Sequence, residues 1–370
     1  MNFGILELYC GASGKKGYYN NQEIGLAKAL VKLGYNVYIF YPDTTINKYR
    51  VLKGRSEITI VHCPAKAIGV HSFYSLNILK KFNIEILQLG SDNQIFAPNV
   101  IKYCKHNNIL QYNYIGTIRS DSDSTFKSLI SNQILKRNIK YYRNSKCIVK
   151  TTAVQEQLTQ LGVRDITIAP VGLDTSIIPT TFIDTVAILN KYSLPTNKHF
   201  LLFVGRIETY KNPYKALNLI KSLDDNYHLI MIGTGTLDEE IDKEIQHLNI
   251  QNKITRIKSV KNDEIHNFYK IADYFINLNN KEIFGMAILE AMYHGVDTIA
   301  LRAPGPNSII ENNVSGFLVD NTDEIAQIIS SNIHLNKDDI KKRVNNTFTW
   351  DSTAHKINSW VIKHLSNKIN

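Results

Sequence analysis

The sequence predicts an α/β protein built from two doubly wound parallel-sheet domains. Three observations predict it. Apolar runs of strand length alternate with helix-periodic segments, the alternation loosens once and then restarts, and 370 residues exceed what one core ordinarily organises. The strand runs are near-continuously apolar rather than alternating, which indicates sheets covered by helices on both faces.

The first half opens on "FGILELY", followed by the glycine-rich loop "CGASGKKG". Next, "NNQEIGLAKALVKLGY" carries Ile24, Ala27, Leu30 and Val31 at helical spacing and stops at Gly34. "NVYIFYP", "EITIVHC", "IEILQLG", "ILQYNYI", "SKCIVKT" and "DITIAPVG" read as further strands. The rhythm breaks over residues 175–197, rich in threonine with two prolines, which we read as a linker between domains 1–174 and 198–350. "HFLLFVG", "YHLIMIGTG", "ITRIKS", "YFINL", "DTIALR" and "GFLVD" then supply a second set of strands, with helices such as 213–223 and 238–248 between them. The tail is an amphipathic helix, 351–370, with Ile357, Trp360, Val361 and Leu365 on its apolar side, and is expected to brace the first domain. Two such domains are expected to face a central cleft, since ligands bind at the carboxyl ends of open α/β sheets.

Composition narrows the class. A hydrophobic content of 44% with 21% charged residues describes a globular chain rather than a disordered one. The start, "MNFGILELYC", has no basic leader and is interrupted by Glu7, so it reads as a strand rather than a signal peptide. No window reaches the roughly 18 apolar residues of a membrane span. Cys10, Cys63, Cys104 and Cys147 are scattered without CxxC or Cys/His spacing, which points to a reducing cytoplasm and away from a metal site. The net charge of +10 accompanies a composition rich in Lys, Asn and Ile and is not read as a nucleic-acid footprint. Two readings fit the basic stretch "LKRNIKYYRNSK", where Lys136, Lys140 and Arg143 share a helical face interleaved with Ile139, Tyr141 and Tyr142. One is a solvated outer face. The other is a contact with anionic lipid at the inner face of the cell membrane.

Gly11, Gly14 and Gly17 are spaced GxxGxxG, which is neither the dinucleotide GxGxxG nor a P-loop. A glycine turn before a helix still lets backbone N–H groups approach an anion. In "FVGRIETYKN", Arg206 and Lys211 follow a buried strand, with no acidic run to neutralise them. A planar fork and a compact point charge together suit a diphosphate. "GTGTLDEEIDKE" also has glycines before a helix, but Asp238, Glu239 and Glu240 would repel phosphate there, so it reads as structural. In "KEIFGMAILEAMYHG", a helix starting near Phe284–Gly285 contains Glu290 among apolar residues, with Glu282 eight positions before it. A buried carboxylate needs partners, and a pair of ribose hydroxyls could supply them, as could a neighbouring Lys or backbone.

In order and spacing, "VGRIETYKN", "IGTGTLDEEI", "EIFGMAILEAMYHGVDTIA", "RAPGPNSIIENNVSGFLVD" and "FTW" resemble family-four retaining glycosyltransferases of the glycosyl transferases group 1 type. "GLAKALVKLGYNVYIF" and "TTAVQEQLTQLGVRDITIAPVGLD" resemble that family's N-terminal half. The resemblance implies a GT-B fold and transfer of a hexose or N-acetylhexosamine from a nucleotide diphosphate sugar, UDP first among them, to a saccharide or lipid-linked acceptor. Residue by residue, it implies that Arg206 and Lys211 bind the diphosphate and that Glu282, first acid of the family's E-x7-E motif, faces the donor sugar. Glu290 would hold the ribose, Gly17 would approach phosphate and sugar, and Phe284, Gly285 and Gly305 would line the donor site. No metal or other cofactor is implied, the nucleotide-sugar being substrate. Tyr18 stands where the family has a second loop glycine, and "LQYNYIGT" offers Asn113, Tyr114 or Ile115 where it has a histidine. Two rivals follow. One is a catalytically silent nucleotide-sugar-binding partner subunit. The other is a metal-dependent transferase using Asp121 and Asp123 of "SDSDS" as a DxD motif, although those aspartates also look like a helix cap.

Overall fold

A computed structural model describes residues 1–10, 22–53, 57–118, 125–181 and 184–369. Gly11, Gly14, Gly17, Tyr18, Asp121 and Asp123 lie outside the described residues. The chain divides into two units, Met1–Gly172 with Trp350–Asn370, and Leu173–Thr349.

The first unit is built on β1 (Asn2–Glu7), β2 (Asn36–Asp43), β3 (Arg50–Lys53), β4 (Ile58–Ile68), β5 (His71–Tyr74), β6 (Ile86–Gly90), β7 (Leu110–Ile115), β8 (Lys146–Val149) and β9 (Ile166–Ile168). Their order is β3-β4-β2-β1-β6-β7-β8-β9, with β5 also on β4. All pairs are parallel except β3 and β5, which run antiparallel to β4. Those two strands, four residues each, were not anticipated from sequence; their formation depends on the long β4 as template. Helix Gln22–Lys32 buries Leu26, Ala27, Ala29 and Leu30. Helix Trp350–Ile369 packs on it, burying Ala354, Ile357, Trp360 and Val361. Thr353 donates to the Pro170 carbonyl at 2.7 Å, Tyr35 donates to Asn358 at 2.6 Å, and Trp360 meets Tyr112 edge to face at 5.0 Å.

On helix Thr125–Tyr142, Lys136 and Lys140 are exposed, while Ile139 and Tyr142 are buried. Arg143, just beyond it, is also exposed and donates through Nε to the Leu161 carbonyl at 2.8 Å. Two of the three apolar residues of the expected stripe are therefore core, and the exposed part is basic. No helix among the described residues is long and apolar enough to cross a membrane. The four cysteines are free and buried. Burial pushes the thiols of Cys63, Cys104 and Cys147 up to about 12, so none is poised to react.

The second unit has β10 (His199–Val204), β11 (Tyr227–Ile232), β12 (Ile254–Ile257), β13 (Tyr274–Asn277), β14 (Asp297–Leu301) and β15 (Phe317–Val319). They run in the order β12-β11-β10-β13-β14-β15, all parallel. Side chains alternate between two cores: Phe200 and Leu202 enter one, Leu201 and Phe203 the other. The expected linker, 175–197, is corrected by the structure. Ile178, Ile188, Leu189 and Leu194 belong to the core of this unit. Helix Thr185–Lys191 forms there because Asp184 caps it, accepting from the Val186 N–H at 3.0 Å. The chain enters and leaves the unit side by side, Leu173 N–H donating to the Phe348 carbonyl at 2.7 Å.

The first unit carries a close contact that can be tested. A Cβ on Gly25 would lie 2.2 Å from Trp350 Nε1, so the two helices meet where no side chain intervenes. Gly25→Ala is expected to lower stability by about 1–3 kcal/mol through overpacking, despite the better helix propensity of alanine. Urea denaturation checks this, a lower midpoint being the expected result.

Candidate functional site

Strand order fixes where the second unit concentrates its chemistry. From β10 the chain moves outward to β11 and β12, then returns to lay β13 on the other side of β10 and continues to β14 and β15. The order reverses between β10 and β13, the position where loops diverge and open sheets bind ligands. Arg206 and Lys211 follow β10, Glu282 follows β13, and Gly305 follows β14, so three neighbouring carboxyl ends supply them.

Glu282 is the centre of the arrangement. Lys211 Nζ donates to Glu282 Oε2, to which Asn279 also donates at 3.2 Å and Asn277 at 3.4 Å. The Asn279 N–H donates to the Asn277 side chain at 3.1 Å and the Lys281 N–H to the Asn279 side chain at 3.0 Å, which folds the loop after β13 onto itself. Asn212 adopts left-handed backbone geometry (φ 54°) after Lys211 and donates to the Leu278 carbonyl at 2.7 Å, tying the β10 loop to the β13 loop. No acidic run flanks Arg206 and Lys211 in the sequence, but Lys211 is ion-paired with Glu282 from the β13 loop. Arg206 is exposed, and its guanidinium lies 5.4 Å from the Tyr210 ring centroid, with Lys211 Nζ 5.5 Å from the same centroid. Glu208, two residues after Arg206, is committed to Thr236, accepting from its hydroxyl at 2.7 Å and its N–H at 3.2 Å.

Glu290 answers to a different partner. It lies on helix Met286–Tyr293, whose Ile288, Leu289, Ala291 and Met292 are buried. Tyr269, fully buried, donates its phenol to Glu290 Oε2 at 2.7 Å. Burial raises the Glu290 carboxyl above its ordinary value, and the Tyr269 bond opposes the rise without cancelling it. Tyr269 stacks on His294 at 5.9 Å, and His294 Nε2 is 3.0 Å from His266 Nδ1. Burial holds His294 down to about 4, so both rings are neutral at ordinary pH and one donates to the other.

The glycines are set by contact and conformation. Gly285 has φ 101°, in the left-handed region, and directs the chain into the helix that carries Glu290. At Gly305, a Cβ would lie 2.3 Å from the Phe284 carbonyl oxygen, and the Gly305 N–H donates to the Glu282 carbonyl at 2.8 Å. The β14 loop thus lies flush on the loop that presents Glu282. Phe284 packs partly buried against the core, 6.5 Å from Phe348. Lys211, Glu282, Phe284 and Gly305 are therefore joined through direct contacts, Arg206 adjoins them across Tyr210, and Glu290 sits apart on Tyr269.

Residues 185–347 match the family described as glycosyl transferases group 1. The second unit is a glycosyl transferases group 1 domain. The D-inositol 3-phosphate glycosyltransferase of Xylanimonas cellulosilytica is 23% identical over 190 residues, 48% of this chain and 46% of that protein. The GalNAc-alpha-(1->4)-GalNAc-alpha-(1->3)-diNAcBac-PP-undecaprenol alpha-1,4-N-acetyl-D-galactosaminyltransferase of Campylobacter jejuni is 26% identical over 174 residues, 45% of this chain and 46% of that protein. The chain thus spans about half the length of the curated relatives it matches. The structure of Anabaena Alr3699/HepE in complex with UDP superposes with a TM-score of 0.76 at 16% identity, covering 98% of this chain and all of that one. The fold is GT-B.

The glycosyltransferase domain also shows what sequence reasoning missed. Asn277, Asn279 and Tyr269 were not singled out. The run "INLNNKE", spanning the end of a strand and the loop after it, was the available signal for the asparagines, while Tyr269 looked like any core aromatic. In the first unit, none of the residues at the family's histidine position offers an unspent polar group. Asn113 donates to Ser145 at 2.9 Å and to the Lys146 carbonyl at 3.1 Å, Tyr114 donates to the Ala169 carbonyl at 3.2 Å, and Ile115 is apolar and buried.

The Glu290–Tyr269 pair yields a pH-dependent prediction. A carboxyl whose folded value lies above its unfolded value stabilises fully below the unfolded value, and that stability is lost as pH rises through the folded value. Tyr269→Phe removes the bond that favours the ionised form. It is expected to lower stability at neutral pH by about 1.5–3 kcal/mol and by less in mild acid. Denaturation midpoints at several pH values check this; an equal loss at every pH would contradict it.

Proposed function

We propose that the chain is a retaining glycosyltransferase that moves a hexose or N-acetylhexosamine from a nucleotide diphosphate sugar to a saccharide or lipid-linked acceptor. The observation that carries this reading is the gathering of Arg206, Lys211 and Glu282 at the strand-order reversal of a glycosyl transferases group 1 domain. Both relatives described above are named for transfer of a sugar, one to inositol 3-phosphate and one to an undecaprenyl-linked saccharide, and Alr3699/HepE was solved with UDP. These names support a UDP-type donor and a phosphate- or lipid-linked acceptor. The exposed Lys136, Lys140 and Arg143 suit an anionic headgroup beside such an acceptor.

In this reading the bond between the sugar's anomeric carbon and the leaving phosphate oxygen breaks, and its electron pair stays with the diphosphate. The acceptor oxygen attacks from the same face and passes its proton to a donor phosphate oxygen. Charge develops on the diphosphate, and Arg206 and Lys211 stabilise it. Glu282 would accept from hydroxyls of the donor sugar, and Glu290 from those of the ribose. We assign charge stabilisation to the two protein cations rather than to a metal. A second reading, a binding subunit without turnover, is favoured by the spent polar groups at the family's histidine position.

Nucleotide-sugars are to be screened by thermal shift, and release of the nucleoside diphosphate measured with the stabilising donor. Arg206→Ala and Lys211→Ala are each expected to lower kcat/KM by roughly a hundred- to a thousand-fold. Turnover is expected to persist in excess chelator. Donor binding without any release of nucleotide would select the binding-subunit reading, and variants with wild-type rates would sink the assignment of the two cations.

A further inference from the structure

The carboxylate of Glu290 is held from a neighbouring helix. Tyr269 lies on helix Ile265–Ile271 and Glu290 on helix Met286–Tyr293, and the two helices pack together. The Tyr269 ring is walled on several sides. His294 stacks on it with an interplanar angle of 8°, and the rings of Phe275 and His266 are centred 6.0 Å and 6.2 Å away. The two histidines, 3.0 Å apart, tie two of these walls to each other. With the ring fully buried among them, the direction of its phenol is fixed. A glutamate side chain loses much rotamer freedom when it is ordered, so an aimed phenol fixes a group more mobile than itself.

A buried phenol needs an acceptor, and Glu290 meets that need. Two features exceed it. Three other buried phenols use backbone carbonyls, which carry no charge: Tyr142 donates to Ser91, Tyr227 to Ile329 and Tyr114 to Ala169. Tyr269 instead spends its donor on a carboxylate whose ionised form burial disfavours, a costlier acceptor than packing requires. The second feature is capacity. An ionised carboxylate has about four lone-pair sites and accepts only, so one phenol leaves room for a pair of hydroxyl donors. The phenol bond also favours that ionised, accepting form.

We propose that Tyr269 is a positioning residue for the donor nucleotide, its phenol holding one carboxylate oxygen of Glu290 so that the group stays aimed at the ribose hydroxyls. This rests on the glycosyl-transfer reading, in which Glu290 accepts from the ribose; the Tyr269–Glu290 contact does not. The ribose is remote from the bond that breaks, so Tyr269 serves ground state and transition state alike. Its loss raises KM for the donor and leaves kcat unchanged.

The test uses the full chain and calorimetric titration of UDP, ADP and GDP, the tightest of which is then compared with its 2′,3′-dideoxy counterpart. Tyr269→Phe and Glu290→Gln are each expected to weaken binding of the ribonucleotide by about fivefold or more. Each is expected to change binding of the dideoxy nucleotide by less than about twofold, since it has no hydroxyl for Glu290 to accept from. Adding Tyr269→Phe to Glu290→Gln is expected to weaken the ribonucleotide no further, because Tyr269 acts through the carboxylate already removed. That comparison leaves no acid without its donor, and it stands even where Tyr269→Phe alone does not fold. A merely structural role predicts otherwise: Tyr269→Phe would weaken both nucleotides equally, or would weaken the Glu290→Gln protein further, and either result overturns the proposal. Ribonucleotide binding weakened by Glu290→Gln but not by Tyr269→Phe would overturn it while leaving the ribose assignment standing. Binding indifferent to Glu290→Gln would remove the assignment and the proposal together, and no binding of any of the three diphosphates would count against the donor reading itself.

Discussion

A parallel strand delivers its following loop to one edge of the sheet, and where strand order reverses, two adjacent loops leave toward opposite faces. That constraint governs both units. In the second it brings the loops after β10 and β13 together, and in the first those after β1 and β6. Each junction holds a glutamate, Glu282 in one and Glu7 in the other. The remaining architecture serves these edges: two-sided apolar strands hold the sheet rigid, and glycines at Gly90, Gly116 and Gly305 let side chains or backbone settle where a Cβ would obstruct them.

The three partly enclosed glutamates differ in how their carboxylates are compensated. Glu282 has an ammonium and two amide donors. Glu290 has one phenol, and burial prevails over it, so its protonation range moves up. Glu7 has no hydrogen bond among the described residues, and burial reinforced by two other acids moves it further. An acid held in an unfavourable environment lowers folding stability, and such sites persist where function uses them. Glu7 and Glu290 are both acids of this kind.

Much of this was legible in the sequence, for identifiable reasons. All six strands of the second unit were readable because each is a short run rich in apolar or β-branched residues lying between helical segments. The four-residue β3 and β5 were not, since they exist by pairing with β4 rather than by their own pattern. The segment 175–197 was misread because threonines and prolines suggested looseness, while the Asp184 cap and the apolar Ile188 and Leu189 carried the helix. Arg206, Lys211, Glu282 and Glu290 were identifiable as chemistry-bearing residues, but their pairings were not. Lys211 and Glu282 are 71 positions apart, and Tyr269 lies on a different helix from Glu290. Pairings of that range are products of topology, which residue spacing does not encode.

The pairing of Lys211 with Glu282 bears on how a diphosphate would be received. Asn277 and Asn279 anchor Glu282, and both are fixed by turns in the β13 loop. Lys211 reaches it with a long, flexible stem, so of the two partners it is the one free to move. A diphosphate presents more negative charge than a single carboxylate, and at such a partly enclosed site the difference is only partly screened. If Lys211 turned to a phosphate, Glu282 would keep two amide donors and would not be left an uncompensated acid. The carboxylate would then remain aimed while its oxygen gave up one donor, which is the condition for accepting a sugar hydroxyl in the ammonium's place. In the proposed function, the asparagines would let one ion pair serve two ligand groups in turn.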